Sequence, residues 1–564
     1  MTVPPNYLWA KKYPPSVDWS APLPSYPLYQ ILDDGVRDYP NNVLIDFLGK
    51  TYSYADVANL VTRAAKGLQN LGVSKGDRVG LFLPNSPYYV VMYYAALKIG
   101  ATVVNFNPLY VEREVEHQIN DAGCTVMATI DVPTCYDKLQ KLMGKTCLKK
   151  IIVGRMVDIL PKPLSLLYPL IKRRDISVVT YGDVAIAFST LINNDGTFAP
   201  VAIDPKHDVA VLQYTGGTTG TPKGAMLTHA NLVANVIQSR MLFPKVEWGK
   251  ERMLGVLPFF HVFAMTAIMN FAIAIGGSII MLPRFDLVQV VKTIHKKRPT
   301  LFPAVPTIYT AINHYTKLAK YNLRSIKYCI SGGAPLPVEV KRDFERLTGC
   351  ILVEGYGLSE TSPVTHCNPV EGENKAGSIG LPAPGTIVEI VSLEDGKTLM
   401  PQGERGEICI RGPQVMAGYW NQPQETANVM EQTADGPRLH TGDVGYLDID
   451  GYTFIVDRIK DMIAAGGFKV YPRNVEEAIY LHQAVEECIV AGVPDEYRGQ
   501  TVKAFIKLRA GQSVSADELK AFLKDKLSPI EMPKRIEFRD SLPKTLIGKL
   551  SRKMILEEEA NKKS

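Results

Sequence analysis

The sequence of 564 residues predicts an α/β fold, with a large N-terminal domain followed by a small α+β C-terminal domain. Strand-type and helix-type patterns alternate through the first half, which is typical of βαβ units and a parallel sheet. Short β-type runs between Gly and Pro turns occupy 376–457 and predict a small β-barrel or sheet. A mixed pattern follows it, so we place the domains at 1–457 and 463–564, joined by a hinge at 458–462.

The N-terminal domain is expected to contain two βαβ-type sheet subdomains. "RVGLFL" (78–83) and "ATVVNF" (101–106) are strand-type runs, and Pro87 suits the start of the helix between them. The same alternation recurs around 252–282 and 325–357. Each recurrence predicts further parallel strands joined by helices.

Composition indicates a folded, water-soluble chain, with 46% hydrophobic and 21% charged residues. The apolar stretch 253–282 has the length of a membrane span. Pro258, His261 and Asn270 interrupt it, so it is expected to form a strand, a helix of about four turns and a second strand. We find no secretory signal at the N-terminus and no paired cysteine motif, which together predict a cytoplasmic protein.

Positive charge is concentrated in residues 138–174, which hold ten basic side chains and a single acidic one, Asp158. A solvated surface is one interpretation. Because apolar and basic residues occur together in 155–174, reversible contact with an anionic membrane on the inner face of the cell is the sharper hypothesis. Nucleic acid is disfavoured, since the segment offers few aromatic residues and no binding fold.

A Gly- and Thr-rich loop at 214–224, "YTGGTTGTPKG", has the composition of a phosphate-binding turn. Its spacing differs from the common G-x-x-x-x-G-K-[ST] motif. Backbone amides and hydroxyls would bind phosphate oxygens, and Lys223 would add a positive charge. The candidate ligands before that lysine are Thr215, Gly216, Gly217, Thr218, Thr219 and Gly220.

Five further stretches follow in order: "SGGAP" (331–335), "EGYGLSET" (354–361), "HTGDVGYLDIDGY" (440–452), "VDRIKD" (456–461) and "LPKTLIGKLSRK" (542–553). Their residue types suit ATP cleavage. Glu360 is a candidate magnesium ligand, and Asp443, placed on a predicted turn, would accept hydrogen bonds from ribose. Lys549 would neutralise charge developing at phosphorus.

This ordered set resembles the adenylate-forming superfamily, which includes acyl-CoA synthetases, firefly luciferase and the adenylation domains of peptide synthetases. The resemblance extends from about residue 30 to 555 and is strongest to bacterial long-chain fatty-acid–CoA ligases. It implies a fatty acid, ATP and coenzyme A as substrates, with Mg²⁺ as cofactor. A carboxylate would attack the α-phosphorus to give acyl-adenylate and pyrophosphate, and coenzyme A would then displace AMP.

The resemblance also implies roles for individual residues. Lys549, Glu360, His261 and Ser359 would be catalytic, with Glu360 as the metal ligand, Ser359 at the α-phosphate and His261 near the acyl group. The loop 215–220 and Lys223 would hold the β and γ phosphates. Asp443 and Arg458 would contact the ribose. The adenine side would be formed by Gly333, Ala334, Pro335, Glu354, Gly355, Tyr356 and Gly357.

A mobile C-terminal domain is implied as well. It would turn about Lys460 and replace the Lys549 face by the 464–472 face, where Gly466, Gly467 and Lys469 would contact coenzyme A. Two departures from the family pattern stand out. Ile547 occupies a position where Ser or Thr is usual, and Pro437 with Arg438 stands where fatty-acid ligases often have one residue.

Several alternatives stay open. A fatty acyl-AMP ligase, a medium-chain or aromatic-acid CoA ligase, and a luciferase-like oxygenase would share these motifs. A module that loads a carrier protein with an amino acid is disfavoured, because the stretch "FFHVFAM" lacks a carboxylate for the substrate ammonium group. A membrane-associated lipid carrier or sensor is the non-enzyme alternative, and a homodimer is left open.

Overall fold

The computed structural model describes residues 7–215, 222–465, 468–495, 499–545 and 549–562. The described strands, in chain order, are β1 (Val43–Phe47), β2 (Lys50–Ser53), β3 (Arg78–Leu81), β4 (Thr102–Asn105), β5 (Val126–Ile130), β6 (Lys150–Gly154), β7 (Ala185–Ala187), β8 (Val209–Thr215), β9 (Lys223–Thr228), β10 (Arg252–Gly255), β11 (Ser278–Met281), β12 (Tyr328–Ser331), β13 (Ile351–Gly357), β14 (Val364–Cys367), β15 (Leu381–Pro382), β16 (Ile387–Val391), β17 (Gly406–Arg411), β18 (Met430–Thr433), β19 (Gly436–Leu447), β20 (Thr453–Arg458), β21 (Ile463–Ala465), β22 (Phe468–Val470), β23 (Val485–Asp495), β24 (Gly499–Leu508) and β25 (Arg535–Phe538).

The described α-helices are α1 (Gln30–Asp38), α2 (Tyr54–Asn70), α3 (Pro87–Lys98), α4 (Glu112–Ala122), α5 (Tyr136–Leu142), α6 (Met156–Ile159), α7 (Leu164–Ile171), α8 (Phe188–Leu191), α9 (His229–Leu242), α10 (Val262–Ala264), α11 (Phe271–Ala274), α12 (Leu287–Lys297), α13 (Pro306–Asn313), α14 (Val338–Thr348), α15 (Pro423–Val429), α16 (Pro472–Tyr480), α17 (Ala516–Leu523) and α18 (Arg552–Asn561). A π-helical segment, Met265–Asn270, joins α10 to α11.

A seven-stranded sheet forms the first layer, in the order β7-β6-β5-β3-β4-β8-β9. All of its pairs are parallel except β8 with β9. The predicted βαβ unit is confirmed, since β3 and β4 are parallel neighbours joined by α3. Residues Pro87–Leu97 of α3 are all buried, because its apolar side chains leave no polar face for solvent.

The second layer combines two four-stranded sheets, β10-β11-β1-β2 and β12-β13-β14-β15. Leu301 makes parallel bridges to Met253 of β10 and Tyr328 of β12, so the two sheets continue into one another. The second predicted βαβ-type subdomain is therefore confirmed. The predicted stretch "SGGAP" begins at the last residue of β12 and continues into the loop after it. The stretch "EGYGLSET" covers the end of β13 and the short turn that follows.

The apolar stretch 253–282 folds as its interruptions predict. It forms β10, a continuous helical segment from Val262 to Ala274, and β11. The residues of this helical segment are buried between the two layers except Phe263 and Ala274. Within the described part of the chain, none of the helices combines the length and apolar content that crossing a bilayer requires.

The region predicted as a small β-barrel or sheet forms a five-stranded antiparallel sheet, in which β16, β17, β19 and β18 lie in order and β20 also pairs with β19. The prediction that Asp443 lies on a turn is wrong. Asp443 belongs to the long strand β19 and pairs with Arg458 of β20. A register shift between Glu407 and Cys409 produces a bulge at 441–443, which the Gly-containing sequence made look like a turn.

The C-terminal residues form a separate sheet, β22-β21-β24-β23, with β25 beside β24. One apolar cluster of this sheet includes Val475 of α16 and Leu519 of α17. A second cluster, around Phe505, includes Ile555 of α18. The mixed α+β pattern predicted for the C-terminal domain is confirmed by the helices α16 to α18 and the strands β21 to β25.

Candidate functional site

One cavity of about 940 Å³ is lined by residues of the 214–224 stretch and of each of the five further stretches. It lies where the ends of β8, β12 and β13 meet the antiparallel sheet and the C-terminal residues. The predicted residues that line it are Thr215, Lys223, His261, Gly333, Gly355, Tyr356, Gly357, Ser359, Glu360, Arg458, Lys460 and Lys549. Stretches that are far apart in the sequence therefore share one site.

Lys223 lies at the start of β9, directly across from Thr215 at the end of β8. The intervening phosphate-loop candidates, Gly216 to Gly220, lie outside the described residues. The Lys223 ammonium group forms an ion pair with Glu425 and lies 5.3 Å from the centre of the Tyr419 ring. Opposite charge and an aromatic face thus hold this lysine at the cavity wall.

Ser359 and Glu360 belong to a short 3-10 turn, Ser359–Thr361, that follows β13. The hydroxyl of Tyr419 donates a hydrogen bond of 2.7 Å to Oε1 of Glu360. The backbone of Glu360 is also held, since its carbonyl accepts a 2.8 Å hydrogen bond from the amide of Met416. Glu360 is therefore a positioned carboxylate on the cavity wall, which suits a hard divalent cation.

Asp443 is buried and connects the two sheets that flank the cavity. It accepts a hydrogen bond of 2.5 Å from the Tyr356 hydroxyl, and its other carboxylate oxygen lies 3.0 Å from Nε of Arg458. Burial and the adjacent Asp443 charge raise the pKa of Tyr356 well above its usual value, so the hydroxyl stays protonated and donates. Tyr356, Asp443 and Arg458 thus form one group that combines an aromatic ring, a carboxylate and a guanidinium.

Lys549 reaches the same cavity from the C-terminal residues. Its amide donates a 3.1 Å hydrogen bond to Oγ1 of Thr545, and its carbonyl accepts one of 2.6 Å from the Thr545 amide. Burial and the positive charge of Arg458 lower the pKa of Lys549 to about 8. Ile547, the departure noted in this stretch, lies outside the described residues.

His261 caps the helical segment that begins at Val262, and its Nδ1 accepts a 3.3 Å hydrogen bond from the Phe263 amide. Burial and the nearby Lys549 charge lower the pKa of His261 to about 3. The imidazole is therefore neutral near pH 7, with its proton on Nε2. A neutral donor beside a cationic lysine suits the binding of an anionic substrate group.

Five of the predicted residues that the structure describes do not line the cavity, and the buried Asp443 is one of them. Ala334 and Pro335 follow Gly333 on the loop after β12, and Lys469 is exposed on β22. Glu354 is buried, and its carboxylate accepts a 3.3 Å hydrogen bond from the Leu336 amide. Burial raises the pKa of Glu354 to about 7, and the positive charge of Arg473 on α16 partly opposes this rise. Gly466 and Gly467 lie outside the described residues.

Sequence reasoning missed two side chains that organise the cavity. Tyr419 positions Glu360 and lies beneath Lys223, while Glu425 pairs with Lys223. Both belong to the stretch 419–425, which contains none of the sequence motifs that point to nucleotide binding. The residue pattern of that stretch is ordinary, and only the bridge between Ala225 and Tyr419 brings it to the cavity.

Family models match most of the chain. The AMP-binding enzyme model matches residues 32–420, and the model of the AMP-binding enzyme C-terminal domain matches residues 474–549. The first match contains the stretches 214–224, 331–335 and 354–361, and the second extends to Lys549.

Individual proteins agree with the family match over nearly the whole chain. A curated relative from Bacillus subtilis, named long-chain-fatty-acid–CoA ligase, is 47% identical over 554 residues, which cover 98% of each chain. The solved structure of ATP-bound MatB from Rhodopseudomonas palustris has a TM-score of 0.84 at 28% identity, covering 96% of this chain and 100% of its own. An anthranilate CoA ligase in complex with anthranoyl-AMP has a TM-score of 0.84 at 25% identity, with 96% and 98% coverage. With these matches and the shared cavity, the chain belongs to the AMP-binding enzyme family.

Proposed function

We propose that this chain is an ATP-dependent fatty-acid–CoA ligase that forms an acyl-adenylate and then an acyl-CoA thioester, releasing pyrophosphate and AMP. The observation that carries the proposal is the position of Lys549 in the same cavity as Lys223, Glu360 and Arg458. The curated relative at 47% identity supports a long-chain fatty acid as substrate.

In the first half-reaction, the fatty carboxylate attacks the α-phosphorus of ATP, and pyrophosphate leaves. Lys223 and the 215–220 loop hold the departing phosphates, so Lys223 exchanges its ion pair with Glu425 for a phosphate oxygen. Lys549 neutralises the charge that develops between carboxylate and α-phosphate. Ser359 contacts the α-phosphate, and Asp443 with Arg458 binds the ribose. The adenine lies against the 333–335 and 354–357 stretches.

Glu360 fits a magnesium ion, because it is a carboxylate fixed by Tyr419 at the cavity wall. Bound Mg²⁺ would neutralise phosphate charge. The single hydroxyl donor on Oε1 leaves the rest of the carboxylate available as a ligand.

The acyl chain is proposed to enter a narrow apolar pocket that shares Ile330 and Val364 with the main cavity. Its wall includes Leu242, Phe243 and Phe271. The pocket measures about 30 Å³, so a long chain requires these side chains to move. His261, which lines the main cavity, donates from Nε2 to the substrate carboxylate.

In the second half-reaction, the C-terminal domain (463–564) turns against the N-terminal domain (1–457) about Lys460 in the 458–462 hinge. Lys549 leaves the cavity, and the 464–472 face replaces it. Coenzyme A then delivers its thiol to the acyl carbonyl, with Lys469 and the glycines at 466 and 467 as contacts. The exposure of Lys469 in the present arrangement supports such an exchange of faces.

An assay of AMP release with C2 to C18 acids, in the presence and absence of coenzyme A, tests the proposal. We expect CoA-dependent release that is fastest with long chains. Release without any effect of coenzyme A would indicate a fatty acyl-AMP ligase, and a preference for short or aromatic acids would indicate a different CoA ligase. No turnover with any acid, together with binding of fatty acid, would favour a lipid carrier.

We also propose that the enzyme acts in the cytoplasm and contacts the inner face of the cell membrane reversibly. On α7, Leu166, Leu170 and Ile171 are each more than two-thirds exposed. Lys172, Arg173 and Arg174 follow directly and are exposed as well. Apolar residues beside a basic cluster suit an anionic lipid surface. Self-association into a homodimer stays a prediction that sedimentation of the purified protein tests.

A further inference from the structure

Next to the cavity, Glu407, Cys409 and His440 bring three different metal-ligating groups together. One carboxylate oxygen, the thiol sulfur and one ring nitrogen all lie within 4.8 Å of one another. The sequence offered no such signal, because Cys409 and His440 face each other only through the pairing of β17 with β19. Glu407 lies two residues before Cys409 and therefore shares its face of the strand.

The distances between the candidate ligand atoms are close to those between the ligands of a bound metal, so little rearrangement is needed. Nδ1 of His440 lies 3.4 Å from Sγ of Cys409 and 2.8 Å from Oε2 of Glu407. Ligands of a tetrahedral zinc ion, at about 2.0 to 2.3 Å from the metal, lie roughly 3.3 to 3.7 Å apart. Zinc would replace the hydrogen bond between His440 and Glu407 by two metal–ligand bonds.

Surrounding groups orient the candidate ligands. Oε2 of Glu431 lies 3.3 Å from Nε2 of His440 and accepts a hydrogen bond from that nitrogen. A carboxylate on the far nitrogen of a metal-binding histidine is a common outer partner. Nδ1 donates to Glu407 without metal and would bind the ion after losing its proton. Glu431 is held in turn by Nε of Arg438 at 3.0 Å. Oε1 of Glu407 accepts a 2.8 Å hydrogen bond from the Gly442 amide.

An ion could reach the cluster through the cavity, and the ligands could balance its charge. Glu407, Glu431 and His440 line the 940 Å³ cavity, which gives an ion a path and a place for a water as fourth ligand. Binding would release the thiol proton of Cys409 and the Nδ1 proton of His440 to solvent, so one thiolate and one carboxylate would balance the charge of a divalent ion.

We propose that Glu407, Cys409 and His440 form a binding site for a soft divalent cation such as zinc, with Glu431 as a positioning residue. Thiolate and imidazole favour zinc, whereas a carboxylate such as Glu360 favours magnesium. The site is independent of the proposed ligase activity, since its ligands and its test involve neither fatty acid nor coenzyme A.

Titration of the full-length protein with Co²⁺ tests the site, because a thiolate ligand gives cobalt a near-ultraviolet charge-transfer band. We expect the band to saturate at one equivalent and to disappear when Zn²⁺ is added. It should be lost in Cys409→Ser and retained in Cys147→Ser, which removes a half-buried thiol elsewhere. Glu431→Gln should weaken zinc binding about ten- to hundredfold.

Absence of the band at one equivalent in the unaltered protein would overturn the proposal, whatever the folding of the variants. Persistence of the band in a folded Cys409→Ser protein would overturn it as well. Circular dichroism of each variant establishes that it is folded.

Discussion

The side chain of Lys549 packs against Gly333, which belongs to the loop after β12. A methyl group built on Gly333 would overlap Cε of Lys549 and lie 2.7 Å from its Nζ. Gly333 also has φ of +82°, which other residues adopt only with strain. The absence of a side chain at 333 therefore gives the lysine its place in the cavity.

The first prediction concerns Gly333→Ala. The added methyl should push Lys549 from its position and slow acyl-adenylate formation about 10²-fold, because a displacement of about 1 Å costs that much. Thioester formation from supplied acyl-adenylate should fall much less, since Lys549 leaves the cavity in that step and only the contact of residue 333 with the adenine is changed. ATP–pyrophosphate exchange and thioester formation measure the two steps separately.

Gly377→Ala is the matched control. Gly377 has φ of +81° and no heavy atom within 4 Å of the position a methyl would take. It carries the same strain of about 1–2 kcal/mol without touching the cavity. Equal loss of exchange activity in the two variants would show that strain, and not the lysine, is responsible.

The second prediction is a pH dependence. The pKa of Lys549 is about 8, and only its protonated form is cationic. The kcat/KM for adenylation should therefore be constant below this pKa and fall as the pH rises through it, because this parameter reports the free enzyme. In Lys549→Arg the residual activity should lose this descending limb, since the guanidinium group stays charged. If kcat/KM fell at the same pH in both proteins, the titrating group would be one other than Lys549.

The third prediction concerns Tyr419→Phe, which removes the hydroxyl that positions Glu360 and keeps the ring beneath Lys223. The magnesium concentration needed for half-maximal adenylation should rise about ten- to hundredfold, as for other outer partners of a metal ligand. The measurement is the exchange rate against Mg²⁺ at constant ATP. Tyr446→Phe, whose ring stacks on Phe454, is the control and should leave the requirement unchanged.

The fourth prediction concerns the hinge. Lys460 is the second residue of the short turn Ile459–Asp461, so proline there removes no hydrogen bond within the turn. Lys460→Pro should spare adenylation and slow the thiol step strongly, because proline restricts the backbone rotation that exchanges the two faces. Lys460→Ala, which keeps rotational freedom, should retain both steps. Loss of both steps in Lys460→Pro would place this residue in adenylation itself.

The fifth prediction concerns membrane contact. Replacing Lys172, Arg173 and Arg174 by Gln should weaken binding to anionic vesicles about 10²-fold, at about 1 kcal/mol for each charge. Activity on soluble short acids should change little. A control with the same loss of charge replaces three exposed residues on α12 or directly after it: Lys292, Lys296 and Arg298. If both triple variants co-sediment equally with the vesicles, the proposal that α7 and the basic residues after it contact the membrane is rejected.

Features that depend on neighbouring residues could be predicted from the sequence, whereas features that depend on contacts between distant residues could not. The strand and helix assignments around β3, α3 and β4 were predictable, because hydrophobic periodicity and helix caps are properties of a few consecutive residues. Asp443 was misplaced for the same reason. Its Gly-containing surroundings resemble a turn, and only the pairing of β19 with β17 and β20 shows a bulged strand.

By itself, the sequence determined the α/β class, the order of the motifs and the residue types required for ATP chemistry. Only the tertiary structure decided that Tyr419 holds Glu360, that Glu425 pairs with Lys223, and that Glu407, Cys409 and His440 meet. The physical reason is that local patterns encode strands and helices, whereas contacts between distant residues depend on how whole sheets pair and pack.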